Sequence, residues 1–204
     1  MRFECVHCGW CCTSPNIVVT ITHFDVYRLY LYLNSLARIQ EKIAFYVPKQ
    51  LTNLVKKQMH VPALLTVEGL AYLGLLKQAT GKCVFYDTKT ERCLIYPYRP
   101  LSCRTFPFAF DYTLETKKLH ITFAEASKET CKGVDKGPQI SRDLLRKLGI
   151  YKTKVIQDFK HVCKEINRSA REEAPLSARE ILWVLISYAE KKQNSKLKLE
   201  DIGI

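Results

Sequence analysis

No stretch of this 204-residue chain is long and apolar enough to cross a bilayer. The most apolar run, Ile181 to Ala189, falls far short of the roughly 20 residues a span requires. Residues 1–12 carry a lone Arg2 and then cysteines, without the continuous apolar segment of an export signal. No glycine-rich cofactor loop follows a strand, no serine sits in a nucleophile elbow, and no carboxylate pair stands out for acid–base work. The five histidines, His7, His23, His60, His120 and His161, are scattered and match no metalloprotease or deaminase spacing. Negative charge is scarce as well: 20 Asp and Glu face 32 Lys and Arg, a formal net charge of +12. A basic balance favours acidic partners. Yet no long basic run or recognition motif accompanies it, so nucleic acid is not the favoured partner. The expected setting is cytoplasmic and reducing, where clustered cysteines serve metals or redox chemistry rather than structural disulfides.

What the chain has in quantity is cysteine, nine in all. Cys5 to Cys12 reads CVHCGWCC, four thiols in eight residues as C-x2-C-x2-C-C. A C-x2-C pair lets two sulfurs converge on one ion, because the residues between can turn their backbone N–H groups toward the sulfurs. A third Cys at the same interval is similar to the start of a bacterial ferredoxin run, whose last ligand comes from elsewhere. Gly9 permits φ > 0 in the middle of the loop. Adjacent cysteines tend to point apart, so Cys11 and Cys12 are expected to serve different partners. Cys83, Cys93, Cys103 and Cys131 follow at loop or strand-end positions, whereas Cys163 falls inside a helical pattern and is expected to be a buried free thiol. Eight cysteines suit two four-thiolate sites, or one site plus a redox or disulfide pair. Thiolate sets serve both zinc and iron–sulfur centres. A second C-x2-C knuckle, usual for structural zinc, is missing, which favours a 4Fe–4S cluster with zinc as the alternative. Trp10, Phe106 and Phe108 are candidates to shield it.

Along the chain, the β-branched segment Asn16 to Thr22 reads as a strand. Thr22 with Asp25 then opens a helix that runs to about Asn34. Leu36 to Tyr46 suggests a second helix, and Pro62 to Gln78 another short one. Cys83 to Asp87 and Cys93 to Tyr96 read as a β-hairpin, each strand beginning with a cysteine. Ala109 to Leu114 and Lys118 to Phe123 form a second. From residue 139 the pattern is helical: Ser141 caps a segment interrupted at Gly149, Tyr151 to Asn167 continues it, and Arg168 to Pro175 is a charged connector. Ser177 with Glu180 caps a last helix through about Lys192. The fold expected is α+β: a cysteine-centred metal-binding core with two small β-hairpins over residues 1–137, with a C-terminal helical extension, residues 138–204, docked on it.

Over residues 3–137 the pattern resembles the YkgJ-type cysteine-cluster family, the CxxCxxCC zinc- or iron-chelating domain also found in a flagellin lysine N-methylase. The resemblance rests on C-x2-C-x2-C-C near the N-terminus, C-V-F-Y-D, the string C-L-I-Y-P-Y-R-P-L-S-C-R-T-F-P from Cys93 to Pro107, and C-K-G at Cys131. It implies metal ligation by Cys5, Cys8, Cys11, Cys12, Cys83, Cys93, Cys103 and Cys131. Arg99 and Arg104, in the same string, flank Cys103 and could offset the charge of a thiolate-rich centre or simply hold loop carbonyls. Lys132 stands where the family usually has a proline. The resemblance implies chelation and no reaction, so it does not establish an enzyme. The leading reading is a 4Fe–4S protein with an electron-transfer or modification role and a redox or protein partner. Its rival is a zinc-stabilised interaction module that binds an acidic protein or nucleic acid through its basic surface. A thiol-redox enzyme built on Cys11 and Cys12 ranks last.

Overall fold

A computed structural model describes residues 1–51, 53, 61–113, 116 and 118–193 of the chain. It holds helices and four small antiparallel sheets, an α+β architecture. No helix among the described residues is long and apolar enough to cross a membrane.

The N-terminal residues form β1 (Arg2–Phe3), and the cysteine loop leads into a single helical turn, α1 (Trp10–Thr13). Residues 16–22 were expected to be a strand, and only Thr20 makes a ladder bridge, to Gly74. The segment still runs beside residues 73–75, with Ile21 N–H donating to Leu73 (3.1 Å) and Leu75 N–H to Val19 (2.9 Å). The capping box then forms as the residue types predict: Asp25 Oδ2 accepts from the Thr22 N–H and hydroxyl, both 2.9 Å, and opens α2 (His23–Leu33).

Residues 36–46 divide where one helix was expected. Helix α3 (Leu36–Gln40) stops, and β2 (Ile43–Tyr46) takes the β-branched and aromatic residues into a sheet. The short helix expected over residues 62–78 is likewise a hairpin, β3 (Leu64–Thr66) and β4 (Gly69–Leu75), in a sheet ordered β2-β4-β3. The reason lies in the turn. Gly69 adopts φ 104°, and the Thr66 hydroxyl donates to its carbonyl (2.8 Å) while accepting from the Glu68 N–H (3.2 Å).

The first expected hairpin is shorter than its residues suggest: β5 (Tyr86–Asp87) and β6 (Arg92–Cys93) pair over two positions. Cys93 ends its strand rather than beginning it, and Cys83 lies ahead of β5 in a bridge with Lys77. Asp87 organises the turn by accepting from Lys89 N–H, Thr90 N–H and the Thr90 hydroxyl. A short helix α4 (Leu101–Thr105) follows. The second hairpin forms as β7 (Phe108–Thr113) and β8 (Lys118–Phe123), with Leu114, Glu115 and Lys117 outside the described residues. Neither α5 (Glu125–Thr130) nor β9 (Val134–Gln139) stood out in the residue pattern; β9 pairs with β1.

Ser141 caps α6 (Arg142–Glu172) by accepting from the Asp143 N–H (3.2 Å). Gly149 does not interrupt this helix. The β7–β8 hairpin presses on it instead, and a Cβ there would meet Phe110 at 2.6 Å. Residues 168–172, expected in a connector, continue the helix. Ser177 and Glu180 form the second capping box, ahead of α7 (Ala178–Gln193). The main core is aliphatic and aromatic. It joins Ile21, Val26 and Leu29 with Leu64 and Leu73 of the sheet, Phe159, Val162 and Ile166 of α6, and Ile181, Leu182, Leu185 and Ile186 of α7. Cys83 belongs to it, and Cys12 and Cys93 pack on its edge.

Candidate metal centre

Backbone contacts between distant parts of the chain set the cysteine geometry. In the loop after β1, His7 (φ 52°) and Gly9 (φ 71°) take left-handed conformations. Gly9 caps α1 with its carbonyl, which accepts from the Cys12 N–H (2.9 Å) and Thr13 N–H (3.0 Å). The Tyr86 ring closes over Gly9, where a Cβ would meet it at 3.1 Å. The glycine is therefore required twice, for its φ and for that close approach. From the other side, Cys83 N–H donates to the Cys12 carbonyl (2.7 Å), joining the loop to the segment before β5.

The β1–β9 ladder brings Cys131 to the same end of the molecule. Arg2 pairs with Gln139, Phe3 with Val134, and Glu4 N–H donates to the Gly133 carbonyl (3.2 Å). Cys103 arrives differently. Asp25, buried at the start of α2, accepts from the Leu101 N–H (2.8 Å), and Ser102 donates to the Thr20 carbonyl (2.7 Å). The two bonds fix the start of α4 and with it the position of Cys103.

All nine cysteines are free. Cys5, Cys8 and Cys11 are exposed, Cys12, Cys93, Cys103 and Cys131 half-buried, and Cys83 buried. The Cys11 and Cys12 sulfurs stand 4.0 Å apart, in contact rather than pointing apart, because both turn toward the β5–β6 hairpin from one helical turn. Cys12 hydrogen-bonds both Cys11 and Cys93, which holds its own thiol protonated far above the usual range. The same bonds stabilise the acceptor thiolates, and Cys11 and Cys93 each fall to about 7. Burial pushes Cys83 and Cys103 up, Cys103 strongly, and the neighbouring cysteines add to the rise. Burial raises Cys131 too, with the Cys8 and Cys11 sulfurs as its cysteine neighbours.

Three isolated cysteines share one local device. Cys83 accepts from the Phe85 N–H, Cys93 from the Ile95 N–H, and Cys131 from the Gly133 and Val134 N–H groups. In each the chain turns back so that the amide two residues on points at sulfur. Amide donors favour the ionised form, the form that ligates metal. The donor set therefore fits a soft cation or an iron–sulfur unit in its chemistry. It is gathered rather than closed: no group of three or more His, Cys, Asp or Glu side chains among the described residues could hold a metal ion as it stands.

The two arginines of the Cys93–Pro107 string separate in space. Arg99 lies 3.7 Å over the Tyr96 ring and within electrostatic reach of Cys11 and Cys93, lowering both. Arg104 spends its donors on the carbonyls of Arg99 (3.0 Å) and Pro97. Arg28 of α2 holds the Arg99 carbonyl from the other side. Trp10 stacks on Phe106 with centroids 6.4 Å apart, while Phe108 packs against Phe3, Phe110 and Phe123, behind β1. His7 rests on Tyr96, whose hydroxyl hydrogen-bonds Cys5. Cys163 is 1% exposed in the core, and burial raises its thiol to about 12.

The residue pattern did not mark two contributors, Lys77 and Asp25, as part of this site. Lys77 donates to the Ser14 carbonyl (2.5 Å) and sits within electrostatic reach of Cys83 and Cys12. Asp25 was legible as a helix cap, and its second bond, to Leu101, spans 76 residues.

Residues 4–132 match the family model described as CxxCxxCC, "putative zinc- or iron-chelating domain". A similar protein is an uncharacterized one from Methanocaldococcus jannaschii, 30% identical over 134 residues, which are 66% of this chain and 59% of that protein. The chain thus spans well under two thirds of its relative's length. No solved structure matches. The family match covers more than half of the chain, and the chain belongs to the CxxCxxCC family of zinc- or iron-chelating domains.

Proposed function

We propose, from membership of this family and the geometry of the thiols, that the chain is a metal-binding protein. Cys5, Cys8, Cys11, Cys12, Cys83, Cys93, Cys103 and Cys131 supply its ligands, and a 4Fe–4S cluster is the favoured occupant. The observation that carries the reading is the convergence of cysteines from separate parts of the chain: the Cys83 N–H donates to the Cys12 carbonyl, and the β1–β9 ladder brings Cys131 beside the C-x2-C-x2-C loop. The amides offset only part of the burial that keeps the Cys83 and Cys131 thiols protonated, so on this reading metal binding displaces those protons as the loop closes. A cluster held there would supply one-electron chemistry. The residues of this chain do the rest. Arg99 and Lys77 offset thiolate charge, Trp10 and Phe106 limit water, and Arg28 and Arg104 hold the loop that carries Arg99.

The alternative occupant is zinc, which four thiolates also hold. On that reading the metal is structural, and the +12 surface binds an acidic partner. Iron, zinc and acid-labile sulfide per chain, measured on protein purified without oxygen beside its visible spectrum, separate the two. Brown protein with matched iron and sulfide supports the cluster. Colourless zinc protein supports the structural module. Protein with neither metal refutes the proposal.

A further inference from the structure

The eight cysteines do not form one even group, and α1 is the boundary between two. On one side, Cys12 bonds to Cys93 and lies within electrostatic reach of Cys83, while Cys103 has Cys83 and Cys93 among its neighbours. Cys83 N–H holds the Cys12 carbonyl, and Cys93 sits opposite Tyr86 in the ladder that follows Cys83. On the other side, Cys5 and Cys8 belong to the exposed loop, and Cys131 faces Cys8 and Cys11 from its turn beneath the β1–β9 ladder. Cys11 alone borders both groups, being also a neighbour of Cys103, Cys83 and Cys93. The Cys11 and Cys12 sulfurs touch at 4.0 Å, so Cys11 must turn away from Cys12 to serve the outer group, a turn its exposed side chain on a single helical turn leaves open. The count decides its place. Without Cys11 the inner group already has four thiols and the outer only three, and thiolate-only centres, zinc or iron–sulfur, take four.

We infer that the chain holds two four-thiolate centres side by side: an inner one of Cys12, Cys83, Cys93 and Cys103, and an outer one of Cys5, Cys8, Cys11 and Cys131. The inference rests on the metal-binding reading above and adds to it the number of centres and the ligands of each. The two differ in access. Cys12, Cys83 and Cys93 lie in or on the apolar core and Cys103 is half-buried, while three of the four outer cysteines are exposed. Water and chelators reach the outer centre first.

The test compares intact wild-type protein, prepared without oxygen, with Cys103→Ser, Cys131→Ser and, as a control outside both centres, Cys163→Ser. Metal and sulfide per chain are measured, then metal release to excess EDTA is followed in time, with far-ultraviolet circular dichroism to verify folding. Wild type and Cys163→Ser should release metal in two phases. Folded Cys131→Ser should keep about half of the metal and only the slow phase, and Cys103→Ser about half and only the fast phase. Loss of all metal from either folded variant, or a single release phase from wild type, would overturn the partition while leaving the metal-binding reading intact. Should a variant fail to fold, the two wild-type phases decide. Wild type without metal would instead remove the reading on which the partition stands, and the partition with it.

Discussion

Around Phe159 and around Cys93 the chain is held in place by different means. Phe159 has no solvent exposure and lies among side chains from α2, the central sheet and α7, so its position follows from packing that needs no ligand. Cys93 ends a two-residue strand, with one amide aimed at its sulfur and a thiol neighbour across a loop. The first region draws its order from apolar burial. The second is a set of short turns that carry exposed and half-buried thiols. One chain thus carries a packed scaffold and a cysteine site built of turns, which meet at Cys83 and at the bond from Leu101 to Asp25.

The sharpest way to break this contrast is to damage the scaffold. Phe159→Ala should cost about 3 to 5 kcal/mol by the loss of a fully buried ring. Denaturant melts of metal-free protein measure that cost, while the metal bound per folded chain should stay unchanged. A fall in metal stoichiometry among folded molecules would mean that the two regions are not separable.

A smaller effect, about 2 to 3 kcal/mol, is expected from Asp25→Asn, which removes the charge from a buried hydrogen-bonding carboxylate. Because Asp25 joins the two regions, this change should lower both stability and metal affinity. A variant that is less stable but binds metal as before would show that α4 is placed by other contacts.

Acid supplies the mildest test. His23 is fully buried among Phe24, Phe159 and Tyr188, and neither ring nitrogen has a hydrogen-bond partner among the described residues. Burial, with Lys192 adding to it, lowers its pKa from 6.5 to about 3. The folded state therefore keeps His23 neutral, and its stability is complete above pH 6.5. It is lost as the pH falls from 6.5 toward 3, at about 1.4 kcal/mol per pH unit. Metal-free wild type should be about 2 kcal/mol less stable at pH 5 than at pH 6.5, and His23→Phe should lose much less over that interval. Equal losses would place the acid sensitivity elsewhere.

The same contrast explains what could be read from residues alone. Both capping boxes were legible, because Thr22 with Asp25 and Ser177 with Glu180 are contacts three residues apart. Residues 62–78 misled because a short apolar run suits either a helix or a strand, and only the turn at Gly69 decides. The cysteines were visible as a set. Their neighbours were not, since Cys131 reaches Cys8 through a ladder between residues more than 130 apart. Nor could spacing separate Arg99 from Arg104. Both flank Cys103 in sequence, and the turn into α4 sends one guanidinium toward sulfur and the other onto backbone carbonyls.

The β1–β9 ladder also bears on transplantation. Phe3 pairs with Val134, Glu4 crosses Gly133, and Gly137 at φ 71° leaves room for the Glu4 side chain. An eight-residue graft of CVHCGWCC into another scaffold would carry the thiols without the turn that presents Cys131 or the hairpin that presents Cys93. A donor fragment cut inside the closed circuit from Arg2 to Gln139 would leave the cysteine loop without its counterpart, and one cut after it would lose Phe159 and Ile181 from the core that holds Cys83.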